Sequence, residues 1–315
     1  MDIPEDELLA AIRKVVSGPG PEVVVGPGDD AAVVSSGSGE LVLTTDALVE
    51  DVHFRRDLTT PRDLGYKAIA VNVSDIAAMA ASPRFALCAL TITDEVDPAW
   101  VVELAGGMRE CCDEFALSLV GGNLSRGREV TIAVTVTGEV AAGRAVRRDG
   151  ARPGELIVVT GSLGAGAAGR RLSSARSWSA EERDALNRFA RPTPRVGEAG
   201  VLAARGATAM IDVSDGLALD LSRMCEASGV GARLGLSEVP VHPAATLEEA
   251  MGGGEDYELI AALPTDAVDA AREELRASFG VPLAAIGDII EEGLLAVDED
   301  GAEHPLRIEG WDHFG

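Results

Sequence analysis

The chain has 315 residues, 46% of them hydrophobic and 25% charged. That excludes wholesale disorder and supports about two domains with real hydrophobic cores. Fifty-two Asp and Glu against 27 Lys and Arg give a formal charge of -25, which excludes binding of nucleic acid or anionic membrane through a basic face. Any phosphate handled by such a chain needs cations from elsewhere. Nearly all the positive charge is arginine, the only lysines being Lys14 and Lys67.

In chain order, a helix is expected over residues 5–16. Short apolar runs at 23–25, 31–34 and 41–43, separated by Gly, Pro and Ser, read as strands joined by turns. Residues 61–80 read as helical and 85–93 as a β-rich run. Val101, Leu104, Met108, Cys111, Cys112 and Phe115 recur at steps of three and four, which predicts an amphipathic helix. Val130, Ile132, Val134 and Val136 alternate with Thr and Ala, the period of a strand with one buried face.

The polar, Gly- and Pro-containing segment 141–154 is the best domain boundary, giving units 1–140 and 141–315. Beyond it come an expected strand at 155–160, a polar helix at 180–190 and a strand at 208–213. The last feeds a helix with Leu217, Leu221, Met224 and Cys225 on one face. A strand at 257–263, a helix near 266–278 and strands near 283–297 complete two α/β halves of the α+β type.

Cys88, Cys111, Cys112 and Cys225 form no C-x-x-C pair and read as thiols in a reducing compartment. The acidic start MDIPEDELLA argues against a signal peptide, and the longest uncharged run, 156–169, is 14 residues, too short to span a bilayer. A cytoplasmic protein is expected.

Five motifs concentrate carboxylates beside glycines or at element ends. Gly26-Pro-Gly-Asp-Asp30 is a sharp turn whose adjacent aspartates diverge, so one of them is available to a site; an ordinary Asp-rich turn is the alternative. Thr44, Thr45 and Asp46, expected at a strand's C-terminal end, form a hard-oxygen set suited to Mg²⁺. Asp75 lies in an otherwise uncharged stretch, as a helix cap or a ligand. Asp212, Ser214 and Asp215 stand between a strand and a helix, where capping accounts for one of the three. Gly252-Gly-Gly opens onto Glu255, Asp256 and Glu258, as a close backbone approach or as a flexible loop. If these ends converge, unneutralised like charge is intolerable, and an oxygen-only set favours several magnesium ions.

Gly164-Ala-Gly-Ala-Ala-Gly169 fits a dinucleotide fingerprint after a strand. Three residues intervene, however, and no acid-ended strand follows about 20 residues on. No P-loop or protein-kinase signature is present. His53 and His313 each neighbour an aspartate without zinc-site spacing.

The ordered motifs G-P-G-D-D, T-T-D-x-L-V-E-D-V-H-F, D-L-G-Y-K-A-I-A-V-N-V-S-D, G-G-N, R-x-G-A-R-P-G-E, R-P-x-P-R, I-D-V-S-D-G-L, G-G-E-D-Y-E-L and W-D-H-F resemble the thiamine-monophosphate kinase family. That family sits in the superfamily of aminoimidazole ribonucleotide synthetase and selenophosphate synthetase. The resemblance covers about residues 20–314. It implies a two-domain synthetase-like fold, a homodimer paired through N-terminal strands, and transfer of the ATP γ-phosphoryl to thiamine monophosphate in a cleft between the domains.

By position, the resemblance implies a magnesium shell of Asp30, Thr44, Thr45, Asp46, Asp75, Asp212 and Asp215. It matches Gly122, Asn123, Arg148 and Ser214 to nucleotide contacts, and His53, Glu255 and Trp311 to thiamine-phosphate contacts. Asp75 and Arg148 act electrostatically, with no general base. One departure stands out. The family's G-G-D is Gly121-Gly122-Asn123 here, so one metal site is expected to be weaker, since an amide oxygen brings no charge. A degenerate nucleotide- or metal-binding paralogue and another ATP-dependent synthetase of the superfamily are the alternatives. The absence of any Cys before Cys88 speaks against the selenium enzyme, and the ending His-Phe-Gly, without a cysteine, against the hydrogenase-maturation relative.

Overall fold

The computed structural model describes residues 23–25, 29–35, 39–175 and 177–311. The helix expected at 5–16, residues 26–28 of the first motif and residues 312–315 lie outside them. A six-stranded sheet in the order β1-β2-β3-β6-β4-β5 forms the first half. Its strands are β1 (Val23–Val25), β2 (Ala32–Ser35), β3 (Gly39–Val49), β4 (Ser82–Ile92), β5 (Ser118–Arg126) and β6 (Thr131–Ala141). Among the described strands of this sheet, only β4 and β5 pair in parallel. Helices α1 (Pro61–Ala78) and α2 (Pro98–Glu114) interrupt the strand order.

The second half is a seven-stranded sheet, β13-β12-β9-β11-β7-β10-β8. It is built from β7 (Leu156–Thr160), β8 (Ala209–Asp212), β9 (Gly231–Gly235), β10 (Leu259–Leu263), β11 (Leu283–Ile290), β12 (Leu294–Val297) and β13 (Glu303–Pro305). Its helices are α3 (Ala165–Leu172), α4 (Ala180–Ala190), α5 (Val196–Ala204), α6 (Leu217–Ser228), α7 (Leu247–Gly252) and α8 (Val268–Phe279). The alternation read at 130–136 is borne out, since Ile132, Val134 and Val136 are fully buried while Thr131, Ala133, Thr135 and Thr137 are only half-buried.

Helix α1 organises the molecule. Thr60 caps it by accepting the Asp63 N–H, and Pro61 occupies its first turn. Every residue from Leu64 to Ala78 except Asp75 is buried. A helix covered on nearly all sides is an interior helix, and this one buries Lys67, Asn72 and Ser74 along with its apolar residues. Leu64, Ile69 and Val73 join the core under the six-stranded sheet, while Ala77 and Ala78 pack with Leu202 and Met210 of the second half. Against α2 the backbones nearly touch: a Cβ on Gly65 would stand 1.9 Å from the Leu104 carbonyl oxygen, and one on Gly107 1.7 Å from that of Arg62. Glycine is required at both positions.

Some expectations need correcting. Thr44, Thr45 and Asp46 lie in the middle of β3, not at a strand end, because the strand runs on to Val49. Helix α6 takes no side-chain cap from the Asp-Val-Ser-Asp segment; its N-cap is Gly216 at φ 121°. The glycine fingerprint does open helix α3, but β7 is flanked by antiparallel β10 and β11. The carboxylate of Asp256 accepts the N–H groups of Gly164 (2.7 Å) and Gly166 (3.0 Å). That end of the helix is therefore filled by an acid of the chain itself, which leaves no cradle for a pyrophosphate. The four cysteines are unpaired, with Cys88 half-buried and the other three buried. Among the described residues no helix is long and apolar enough to cross a membrane.

Candidate active site

Three aspartates from distant parts of the chain meet. Asp30 precedes β2, Asp75 sits in the last turn of α1, and Asp212 ends β8; each offers an oxygen within 4.8 Å of the other two. Asp75 is therefore no N-cap. An anion at a helix C-terminus opposes the macrodipole, so its position does nothing for the helix. Hydroxyls hold the carboxylates in place. Thr44 Oγ1 donates to Asp75 Oδ2 at 2.6 Å, and Ser74 Oγ donates to Asp212 Oδ2 across the boundary between the halves.

The electrostatics of this cluster are adverse. Burial pushes Asp75 well above the ordinary carboxylate range, and the charges of Asp212, Asp30 and Asp46 push the same way. Burial, with Asp30 nearby, raises Asp212 as well. Asp30 is pushed up by burial to about 6, even though Arg148 beside it pulls downward. Arg148 Nη2 reaches Asp30 Oδ1 at 2.5 Å, and its Nε lies 3.3 Å from Asp29 Oδ1. One buried oxygen, Asp30 Oδ2, has no hydrogen-bond partner. A buried carboxylate oxygen without a donor, beside two further acids, is the donor set of a hard divalent cation. Magnesium fits these residues.

The loops bearing the second half's residues are locked together. The buried carboxylate Asp220, in the first turn of α6, accepts the N–H groups of Ser214 (3.1 Å), Asp215 (2.9 Å) and Gly216 (3.1 Å) through one oxygen. Burial raises Asp220 to about 7. The neighbouring glycine triplet serves close approach: a Cβ on Gly216 would stand 2.8 Å from Gly252 Cα, and one on Gly254 2.6 Å from the Ser214 carbonyl oxygen. Glu255, at φ 60°, donates its N–H to the same Ser214 carbonyl at 2.8 Å. Tyr257, also left-handed at φ 53°, donates to Val213 O at 2.9 Å. Non-glycine residues in that region cost about 1–3 kcal/mol each and mark a constrained loop.

Beside the aspartates lies a cavity of about 230 Å³, lined by Asp46, His53, Ser214, Asp215, Glu255 and Trp311 among others. The three residues expected to touch the phosphate acceptor thus line one cavity. His53 Nδ1 accepts the Val49 N–H at 3.1 Å, which leaves Nε2 as the hydrogen-bearing nitrogen. Trp311 donates its backbone N–H to Asp215 O at 3.0 Å, and the Arg170 guanidinium stands 5.7 Å from its ring centroid. Asp46 lines this cavity and also acts on Asp75, so cluster and cavity adjoin. Asp215 is partnered by Arg223 at 2.5 Å.

Other expected residues stand apart. Strand register carries Ala47 across Ala133 and Ala89 to Asn123, three strands away. At about 4.8 Å per strand that is roughly 14 Å. Alternation places Asn123, with Ala47 and Thr45, on the sheet face opposite Thr44 and Asp46. Thr45 Oγ1 is engaged there with Val134 O and Thr135. Gly122 is on the same outlying strand, in close approach to Cys88, whose carbonyl oxygen a Cβ would meet at 1.9 Å. Within one chain, then, Thr45, Gly122 and Asn123 do not reach the carboxylates. Arg170 and Asp220 were missed in the sequence, whereas Asp29 belongs to the first motif and, with Asp30, engages Arg148. Asp220 had a readable signal, an acid in the first turn of a helix that follows an Asp-x-Ser-Asp-Gly loop.

The two halves, each with its own sheet, match the two domains of one class of protein, the AIR synthase related proteins. The N-terminal domain model of that family matches residues 28–140 and its C-terminal domain model residues 152–299. The chain is 38% identical over 310 residues to the thiamine-monophosphate kinase of Escherichia coli (strain K12), covering 93% of each. It is 34% identical over 306 residues to that of Bacillus subtilis (strain 168), covering 93% of this chain and 94% of the relative. The solved structure of AaThiL complexed with AMPPCP and TMP superposes with a TM-score of 0.88 at 31% identity, over 100% of this chain and 99% of that one. The chain belongs to the thiamine-monophosphate kinase family.

Proposed function

We propose that the chain transfers the γ-phosphoryl group of ATP directly to thiamine monophosphate, giving thiamine diphosphate and ADP. The observation that carries this reading is the adjacency of the Asp30–Asp75–Asp212 cluster to the cavity lined by His53, Glu255 and Trp311. A similar structure complexed with AMPPCP and TMP supports it. Asp30, Asp46, Asp75, Asp212 and Asp215 would hold magnesium, with Thr44 orienting Asp75 and Ser74 orienting Asp212. When bound, magnesium supplies the positive charge that lets two phosphate groups approach.

The acceptor needs no general base, because the second ionisation of a phosphate monoester falls near pH ~6. The residues' task is positioning and charge compensation in a loose transition state. Ser214 stands at the junction of the cluster and the cavity, while Arg148 is engaged with Asp29 and Asp30 and turns to a nucleotide only by exchanging them. Incubation with γ-labelled ATP, magnesium and thiamine monophosphate is expected to give labelled thiamine diphosphate, read as thiochrome fluorescence after oxidation. Label on the protein, or none on thiamine, refutes the reading.

The same reading makes residues 1–140 the nucleotide, magnesium and dimerisation unit, and residues 141–315 the unit that completes the cleft. Edge strand β5 is exposed along its length, and Phe85, Leu87, Val120 and Leu124 are 47%, 48%, 59% and 63% exposed. An apolar strand edge of this kind invites pairing, here with a second copy. Because Asn123 is remote from the carboxylates of its own chain, its contribution to a metal site requires that second copy. Asn123→Asp is accordingly expected to tighten magnesium binding at concentrations where the dimer forms and to leave it unchanged in the monomer. Titration across the dissociation range checks this, and equal affinity for both proteins in the dimer rejects it.

A further inference from the structure

We infer that Lys67 is a positioning residue for the acceptor pocket, an inference that rests on the proposed function. Its Nζ lies 2.5 Å from Glu255 Oε1 and 4.0 Å from the centroid of the Phe189 ring. The lysine side chain is 4% exposed and that of Glu255 21%. An ammonium removed from water in this way persists only when paired, and here one carboxylate and one aromatic face supply the compensation.

The pair spans the two halves: Lys67 belongs to α1 and Glu255 to the loop before β10. The same helix carries Ser74, bonded to Asp212, and Asp75 of the carboxylate cluster. Lys67, Ser74 and Asp75 are separated by seven and eight residues, two helical turns, so they share one face. One helix therefore holds two of the three aspartates, Asp75 and Asp212, and the Glu255 carboxylate that lines the pocket.

The charge also matters. Asp46 and Asp215 line the same cavity as Glu255. A Glu255 carboxylate without its ammonium would add negative charge to that lining and repel an approaching phosphate. With Lys67 attached, Glu255 keeps its second oxygen as an acceptor for an N–H donor of the bound molecule while adding no net charge. Lys67 touches no reacting atom, and its effect runs through Glu255.

The test combines Lys67→Met, Lys67→Arg, Glu255→Gln and the Lys67→Met/Glu255→Gln double variant. Lys67→Met is expected to raise KM for thiamine monophosphate about tenfold, with kcat and KM for ATP changed less than ~2-fold. In the Glu255→Gln background the same change should add less than ~2-fold, since the two act as a unit. Lys67→Arg, which keeps the charge, should return KM to within ~3-fold of the parent. Equal rises in both KM values, or full multiplication of the two single effects, would overturn the inference. A crystal structure of ligand-free Lys67→Met provides a readout independent of the substrate: the Glu255 carboxylate is expected to leave its place, and an unmoved carboxylate overturns the inference. Failure of the unaltered protein to turn over thiamine monophosphate would count against the proposed function instead.

Discussion

Asp75→Asn is expected to lower kcat by ~10² or more while making the metal-free protein more stable. Both effects have one origin. The Asp75 side chain is held in place by Thr44 and crowded by Asp212, Asp30 and Asp46, which, with burial, raise its pKa strongly. An amide of the same shape removes that repulsion and the penalty of burying a charge, so folding without metal improves. It also removes an anionic oxygen from the proposed magnesium shell, and loss of a preorganised electrostatic group costs about 10²–10³ in rate. Paired measurements of kcat and of melting temperature in a chelator decide it. An unchanged kcat at saturating magnesium removes Asp75 from the machinery, and lower stability would show that its charge is not the strained element.

The metal-free protein should lose stability as pH rises from about 5 to 8, opposite to the usual response of an ion-paired carboxylate. Asp30 titrates near 6 and Asp220 and Asp256 near 7, all three raised chiefly by burial above the ordinary 3.8. Between those values the native state binds more protons than the unfolded chain. The slope of unfolding free energy with pH is then negative, and their contribution is complete below about 4 and lost through about 7. Asp184 and Glu249, lowered by His242 and Arg171 respectively, have the other sign, and their contribution fades only below the ordinary carboxylate range. A maximum near pH ~5 follows.

Under the proposed function, magnesium reverses the trend, because its ligands bind it deprotonated. At a concentration one hundredfold above its dissociation constant it would add about 2.7 kcal/mol. The shift in melting temperature on adding magnesium should therefore be larger at pH 8 than at pH 5. Chelator melts that are flat or rising towards pH 8, or a magnesium shift indifferent to pH, would reject this account.

The parts of the fold that the sequence revealed are those where one face is wet. Strand β6 alternates because its other face is open, and α2 shows helical spacing because one side meets solvent. Helix α1 shows no amphipathic periodicity, since nearly all its sides are covered. Strand β5 escaped notice because a Gly-rich, wholly exposed edge strand has neither an apolar run nor alternation. Helix α5 followed a Pro-rich turn and was missed for want of a capping side chain.

For the site, the residue types at Asp30, Asp46, Asp75 and Asp212 suggested metal, but their meeting is a property of tertiary structure that no local spacing encodes. The roles of Lys67 and Asp220 were not legible for a related reason. Each reads locally as an ordinary helix residue, and its partner, a carboxylate 188 residues away for Lys67 and three backbone N–H groups for Asp220, emerges only on folding.

The all-round burial of α1 has a consequence for dividing the molecule. A fragment stopping near residue 140 would keep the six strands but bare the side of α1 that normally meets Leu202 and Met210. A fragment starting there would lack the floor on which those residues rest. Separate expression of the two pieces should yield insoluble material, with recovery on mixing, so gene fusions or swaps between relatives must exchange the helix together with its bed.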